Sequence, residues 1–175
     1  MLRTWIDNMD DADELNPFEL LRRLQGGDTS RFLLWTEQAA YDMDASVSFL
    51  QFARGAMPDD SFRECIVACH APSHEWLAAV SELGIDRLYH GSPHFGHFPK
   101  GEDCLSVAKL RDELCRYFTP HEESVGDLPT CATVRHGRML LNQWWQQNRC
   151  FGKQEECSRF QDALERESKQ VQYGI

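Results

Sequence analysis

The chain has 175 residues, of which 42% are apolar, 26% charged and 11% aromatic. These proportions are those of an ordinary globular protein, and they exclude a disordered, collagen-like or low-complexity chain. Eighteen basic and 28 acidic side chains give a formal net charge of −10, which argues against attraction of the whole surface to nucleic acid or anionic lipid.

Charge differs between the two ends of the chain. Residues 1–130 contain 11 basic and 23 acidic side chains, whereas residues 131–175 contain 7 basic and 5 acidic ones. We therefore predict an α/β body over residues 1–130 and a separate helical tail over residues 131–175. The positive side chains of the tail either pair with the acidic body or bind a partner, and the candidates for partner binding are Arg135, Arg138, Arg149 and Lys153.

The sequence contains no apolar run of the roughly 18 residues that a membrane span needs. Its N-terminus also has no apolar run of signal-peptide length, so a cytoplasmic protein without a membrane partner is expected. In a reducing compartment the seven cysteines are not expected to form a disulfide framework, and their odd number excludes complete pairing. Metal ligation, redox chemistry and simple burial remain open.

The N-terminal segment is predicted to be mainly helical. Its acidic stretch from Asp10 to Glu14 should stay solvated, and Asn16-Pro17 should cap a helix that Gly26-Gly27 ends. Residues 31–35 are either a buried strand or the start of a helix, and residues 44–54 have helical spacing. The buried stripe of the first helix is expected at Phe18, Leu20, Leu21 and Leu24.

Residues 64–90 predict a βαβ unit. A short apolar run at Cys65–Cys69 is typical of a strand, Pro72-Ser73 begins a helix, and Gly84 ends that helix before a second strand at Ile85–Tyr89. So short a crossover requires parallel strands and a right-handed connection. The predicted fold is a small α/β parallel-sheet domain with this βαβ unit, a helical N-terminal segment and a helical C-terminal extension that contains Cys and His.

Further helices are predicted after this unit. Leu105–Phe118 has helical spacing, which would place Cys104 and Cys115 along one face roughly 16 Å apart, too far to share a metal. In the tail, one helix is expected after Gly137 and a last one over about residues 154–171. The apolar face of the first tail helix would contain Met139, Leu140, Leu141, Trp144 and Trp145.

Residues 32–118 resemble the later part of a response-regulator receiver domain. The closest stretches are Ile66–Trp76 and Leu83–Tyr89, which are similar in register to the fourth strand, fourth helix and fifth strand of that family. The resemblance implies a pseudo-receiver that aspartyl phosphorylation cannot switch, because three positions depart from the family's pattern. Trp35 or Thr36 stands in place of the phosphoacceptor Asp, Cys69 in place of the Ser/Thr, and Gly91 in place of the Lys.

Three cysteines and one histidine of the tail predict a metal site. Four residues separate Cys131 from His136, and six separate Cys150 from Cys157, so each pair can converge across one turn. Three thiolates and one imidazole would close a tetrahedral zinc site of the structural type, and zinc is the expected cofactor. The alternatives are buried thiols beside the tryptophans, or redox pairs. The predicted ligands are Cys131, His136, Cys150 and Cys157.

A second group of polar residues follows the two strands of the βαβ unit. Cys69 and His70 end the first strand and His74 lies in the first helical turn. Because the carboxyl ends of parallel strands meet at one edge of a sheet, these residues are candidates for catalysis. A thiol near a helix N-terminus should have a lowered pKa, which favours a nucleophile or a metal ligand. The alternative is a set of solvent-exposed loop histidines, which would include His90, His94 and His97.

Two classes of function are consistent with the sequence. A non-enzymatic regulatory or protein-interaction module is favoured, because no convincing set of acid, base and nucleophile is apparent. Its partner would be another protein, or nucleic acid bound through the basic and aromatic tail. The alternative is a Cys/His-dependent or metal-dependent enzyme that uses the loops after the strands at 65–69 and 85–89.

Overall fold

The computed structural model describes residues 1–8, 11–91, 98–120, 129–132, 139–141 and 145–173. The chain forms two compact units, Met1–Asp112 and Glu113–Ile175, which we call the N-terminal unit and the C-terminal unit. The division lies after Asp112, whereas composition and charge predicted it after residue 130. Within the described ranges, no helix is long and apolar enough to cross a membrane.

A six-stranded sheet forms the centre of the N-terminal unit. Its strands are β1 (Leu2–Asn8), β2 (Asp11–Leu15), β3 (Phe32–Thr36), β4 (Ile66–Cys69), β5 (Arg87–His90) and β6 (Leu105–Ser106). They lie in the order β2-β1-β3-β4-β5-β6, in which β3, β4 and β5 are parallel and the other neighbours are antiparallel. The predicted parallel pairing is confirmed, with Val67 opposite Leu88. The protein is therefore mixed α/β.

Helices lie between and after these strands. In chain order they are α1 (Pro17–Gln25), α2 (Met43–Ala56), α3 (Asp59–Arg63), α4 (His74–Leu83) and α5 (Val107–Glu113). Of these, α1, α2 and α4 lie where helices were predicted. Helix α4 begins where Ser73 Oγ accepts a hydrogen bond from the amide nitrogen of Trp76 at 3.1 Å. It ends at Gly84, whose left-handed φ of 95° suits glycine. Local signals alone therefore set both ends of the crossover helix.

The N-terminal segment differs from the prediction. A hairpin of β1 and β2 precedes α1 where a helical start was expected, and residues 11–14 of the acidic stretch lie in β2, with Asp13 and Glu14 exposed as predicted. Pairing across the hairpin explains this difference, since Arg3 donates to both carboxylate oxygens of Glu14 at 2.8 and 2.7 Å. Helix α1 is confirmed, but Phe18 of its expected buried stripe is 83% exposed.

The sheet of the N-terminal unit buries side chains on both faces. All five residues of β3 are buried, so the segment that could have been a strand or a helix start is a fully buried strand. On one face Phe32 packs edge to face against Phe49 of α2, with ring centroids 5.7 Å apart. On the other face a cluster is formed by Trp5, Leu33, Trp35, Ile66, Ala68 and Phe98.

The C-terminal unit contains a small antiparallel sheet and a long helix. The strands are β7 (Phe118–Thr119), β8 (Thr130–Cys131) and β9 (Met139–Leu140), in that spatial order. A π-helical turn at Gln146–Cys150 and a 3₁₀ turn at Gln154–Glu156 follow. Helix α6 (Ser158–Tyr173) comes last.

The helix predicted at Leu105–Phe118 is wrong at both ends. Residues 105–106 form β6 and residues 118–119 form β7, so the helix is confined to α5. Pro120 disfavours helical backbone in the residue before it, and the aromatic residues ahead of it suit a strand. As a result Cys104 and Cys115 do not share a helix.

The tail also has less helix than predicted. Met139 and Leu140, expected on a helix that starts after Gly137, form β9 with an apolar run too short to show a clear period. Trp144 lies outside the described residues. The last helix begins at Ser158, because the preceding residues turn in the 3₁₀ conformation.

Candidate metal centre

An antiparallel bridge between Leu114 and Phe151 places two cysteines opposite each other. The residues next to the bridging pair are Cys115 and Cys150, and the amide nitrogen of Cys115 donates to the carbonyl oxygen of Cys150 at 2.9 Å. Residues opposite each other in an antiparallel pair project their side chains to the same face. The backbone therefore holds these two thiols as neighbours.

A third cysteine reaches the same place through the small sheet. The carbonyl oxygen of Cys115 accepts a hydrogen bond from the amide nitrogen of Phe118 at 2.9 Å, which turns the chain into β7. Phe118 lies opposite Cys131 of β8, and the amide nitrogen of Ala132 donates to the carbonyl oxygen of Tyr117 at 2.9 Å. The sheet thus links Cys131 to the turn that starts at Cys115.

The fourth cysteine is supplied by the loop after Cys150. Gly152, with a φ of 77°, turns the chain, and the amide nitrogen of Cys157 donates to the carbonyl oxygen of Gln154 at 2.9 Å. Across this loop the guanidinium of Arg149 pairs with Glu156 at 3.2 Å. The loop returns the chain so that Cys157 stands directly before α6.

These four residues are buried together. Cys115, Cys131, Cys150 and Cys157 are between 5% and 7% exposed. Burial raises the pKa of the Cys115 thiol. Burial also raises the pKa of Cys150, on which all three other thiolates act. We call these four buried thiols of the C-terminal unit the four-thiol cluster.

All seven cysteines lie in the part of the chain that the structure describes, and each is a thiol and not half of a disulfide. Among the described side chains, no three His, Cys, Asp or Glu residues are already arranged as they would be around a metal ion. The four-thiol cluster is therefore a set of neighbouring thiols and not a closed cage. Four thiols in one small unit can bind a soft metal ion or form disulfides.

The cluster contains three of the four predicted ligands. Cys131, Cys150 and Cys157 lie together, and His136 lies outside the described residues. Sequence reasoning missed Cys115, because the apolar spacing of residues 105–118 indicated one continuous helix. Pro120 is the signal that could have corrected this, because the residue before a proline disfavours helical backbone. A strand that ends at this proline places Cys115 outside the helix.

The second candidate site lies at the carboxyl edge of the parallel strands. Cys69 is opposite His90 in the β4–β5 register, which confirms that both strand ends meet at one edge. His90 Nε2 donates to the backbone carbonyl of His70 at 2.8 Å, and the His70 ring packs edge to face on Trp35 with centroids 6.0 Å apart. His74 is half-buried in the first turn of α4. His94 and His97 lie outside the described residues.

The thiol at this edge is not activated as predicted. Cys69 is fully buried, and that burial raises its pKa instead of lowering it. Desolvation of the thiolate outweighs the potential of the α4 N-terminus, where Ser73 already accepts from a backbone amide. A buried, protonated thiol is a poor nucleophile. We therefore do not propose Cys69 as a nucleophile.

The predicted partner-binding residues are only partly described. Arg149 donates to the backbone of Asn148 at 2.7 Å and pairs with Glu156, so its charge is offset within the C-terminal unit. Lys153 is exposed between the two turns. Arg135 and Arg138 lie outside the described residues.

No family model, no curated protein and no solved structure matches this chain. The site is therefore assigned on its own chemistry.

Proposed function

We propose that the protein is a non-enzymatic protein-interaction module whose C-terminal unit is held together by a structural zinc ion. Its proposed ligands include Cys131, Cys150 and Cys157, which the sequence pattern predicts and which are all buried in the C-terminal unit. The observation that carries the proposal is the burial of these three cysteines, from a strand, a π-helical turn and a loop, in one small unit.

The core of the C-terminal unit supports a stabilising role for a metal. Nine apolar side chains are buried among its described residues, and four of the nine are cysteines. A unit with so small a core needs a further source of stability. A structural zinc ion contributes roughly 10–16 kcal/mol of apparent binding free energy to folding. The buried residues are Leu114, Cys115, Phe118, Cys131, Leu141, Cys150, Phe151, Cys157 and Ala163.

Helix α6 is the element that such a centre would present to a partner. Its first turns bury Ala163, whereas residues 165–170 are exposed. Glu167 anchors the helix, because it accepts from Arg116 at 2.6 Å and from the Tyr117 hydroxyl at 2.5 Å. An exposed helix suits a protein partner. A protein is favoured over nucleic acid because the net charge is −10 and Arg149 is paired with Glu156.

Metal analysis of the full-length protein, purified without chelator, tests the proposal. We expect one zinc ion per chain, lost in Cys150→Ser but kept in Cys104→Ser, a half-buried thiol of the N-terminal unit. The Cys150→Ser protein should lose protection of the C-terminal unit in hydrogen exchange and keep that of the N-terminal unit. Substoichiometric zinc in the wild-type protein would contradict the proposal in favour of simple buried thiols.

A further inference from the structure

The geometry points to Cys115 as the fourth ligand, which makes the site a closed four-thiolate zinc centre without His136. This inference rests on the proposed structural zinc ion and specifies the ligand set of that site.

The backbone gives Cys115 the position that a ligand needs. It lies opposite Cys150 beside the Leu114–Phe151 bridge, and side chains so placed have Cβ atoms about 5 Å apart. Two thiolates on one zinc ion are about 3.8 Å apart when both Zn–S bonds are near 2.3 Å. Rotation about the Cα–Cβ bonds can bring the two sulfur atoms to this separation while the hydrogen-bonded backbone stays in place.

Cys115 also lies among all the other ligands of the proposed site. Its carbonyl oxygen accepts from the amide nitrogen of Phe118, the residue opposite Cys131, and its own amide nitrogen donates to Cys150. It is 6% exposed, like the other three. If His136 were the fourth ligand, a fifth ligand-type side chain would remain buried within the cluster and unused. Structural zinc sites are four-coordinate, so the buried thiol displaces the imidazole from the ligand set.

A closed thiolate site has a definite chemistry. Zinc prefers to replace the thiol protons, and each thiolate bound releases one proton to solvent. With four protein ligands no coordination position remains for water or substrate, so the ion stabilises the fold and does not activate a reactant. This agrees with a module that binds a partner and does not catalyse.

Four variants of the full-length chain test the ligand set. The measurement is zinc bound per chain after purification without chelator. We expect Cys115→Ser and Cys131→Ser to lose the ion, and His136→Ala and the control Cys104→Ser to keep it. Zinc kept in Cys115→Ser but lost in His136→Ala would overturn the assignment of Cys115.

The same set separates this inference from the proposed function. Wild-type protein without zinc, or Cys131→Ser that keeps it, contradicts the structural zinc site itself. Loss in Cys131→Ser together with full retention in Cys115→Ser contradicts the fourth ligand and leaves the zinc site intact.

A spectroscopic measurement covers the case in which Cys115→Ser does not fold. Cobalt(II) replaces zinc in wild-type protein and in His136→Ala, and the thiolate-to-metal charge-transfer absorption is compared. Its intensity rises with the number of bound thiolates, so four thiolates give the same spectrum in both proteins. A spectrum that changes in His136→Ala would overturn the inference.

Discussion

The amide nitrogen of Gly152 donates to the carbonyl oxygen of Glu113 at 3.2 Å, and the Glu113 side chain covers the space where a Cβ atom of residue 152 would lie. Such an atom would be 3.4 Å from Glu113 Cβ and would collide with the carboxylate. The φ of 77° is also strained for any residue with a Cβ. This glycine therefore sets the loop between Cys150 and Cys157.

We expect Gly152→Ala to destabilise the C-terminal unit by about 1–2 kcal/mol, the cost of left-handed backbone for an L-residue, and to weaken zinc binding. Zinc affinity by competition with a chelator and unfolding in urea measure the two effects. Gly55→Ala in α2 is the control, because a Cβ atom there meets no neighbour within 4 Å and alanine favours helix. Unchanged zinc affinity in Gly152→Ala would show that this loop does not hold the site.

The N-terminal unit depends on a buried hydrogen bond between two helices. The indole Nε1 of Trp76 donates to Ser46 Oγ at 2.9 Å, and both residues are fully buried. Ser46→Ala leaves the indole donor without its acceptor, and we expect a loss of about 1–3 kcal/mol in the free energy of unfolding. Urea unfolding measures it against Ser48→Ala, an exposed serine of the same helix. Equal stability of the two variants would argue against the bond.

Stability of the N-terminal unit should fall in alkaline solution. Burial raises the pKa of Cys65 from its ordinary 9.0 to about 12. The folded state then keeps a proton that the unfolded state releases, so the stabilisation is complete below pH 9 and is lost as pH rises toward 12. From pH 8 to pH 10 this thiol should account for a loss of about 1.4 kcal/mol.

Unfolding free energies at pH 8 and pH 10, for wild type and for Cys65→Ala under reducing conditions, check this. The variant lowers stability at both pH values because it leaves a cavity. The decisive quantity is the change in unfolding free energy between pH 8 and pH 10, which should be smaller in Cys65→Ala than in the wild type. Identical differences in both proteins would show that this thiol titrates normally.

The resemblance to receiver domains leads to a negative prediction. Thr36 ends β3, and its hydroxyl donates to Asp42 at 2.9 Å, so this carboxylate beside the strand end is already engaged. We expect the intact mass to stay unchanged after incubation with acetyl phosphate and magnesium. Asp42→Asn is the matched variant. A phosphate adduct that appears in the wild type and disappears in Asp42→Asn would place the phosphoacceptor at Asp42.

The elements that sequence reasoning found are those with local signals at both ends. Helix α4 lies between Ser73 and Gly84, and the strands beside it are short apolar runs, so the parallel pair followed directly. The hairpin of β1 and β2 could not be found in this way, because Asp and Glu have low strand propensity. Arg3 compensates Glu14 across the hairpin, and a contact of this kind is visible only once the strands are paired.

The same distinction applies to the candidate site. The spacing of Cys131, Cys150 and Cys157 predicts them as ligands without knowledge of the fold, and all three are buried in the C-terminal unit. Cys115 was assigned to a helix because its apolar neighbours recur at helical intervals. The bridge between Leu114 and Phe151 places Cys115 opposite Cys150, and it joins segments too far apart in the sequence for a local pattern to reveal the contact.

The order of the four cysteines along the chain has a consequence for biosynthesis. The N-terminal unit is complete at Asp112, so it can fold on the ribosome while Cys115 and Cys131 wait for Cys150 and Cys157 to emerge. During that interval the early thiols are exposed to oxidants and to wrong metals, and the nascent segment is open to proteases. If the proposed zinc ion stabilises the C-terminal unit, we expect zinc-starved cells to accumulate a fragment that corresponds to the N-terminal unit.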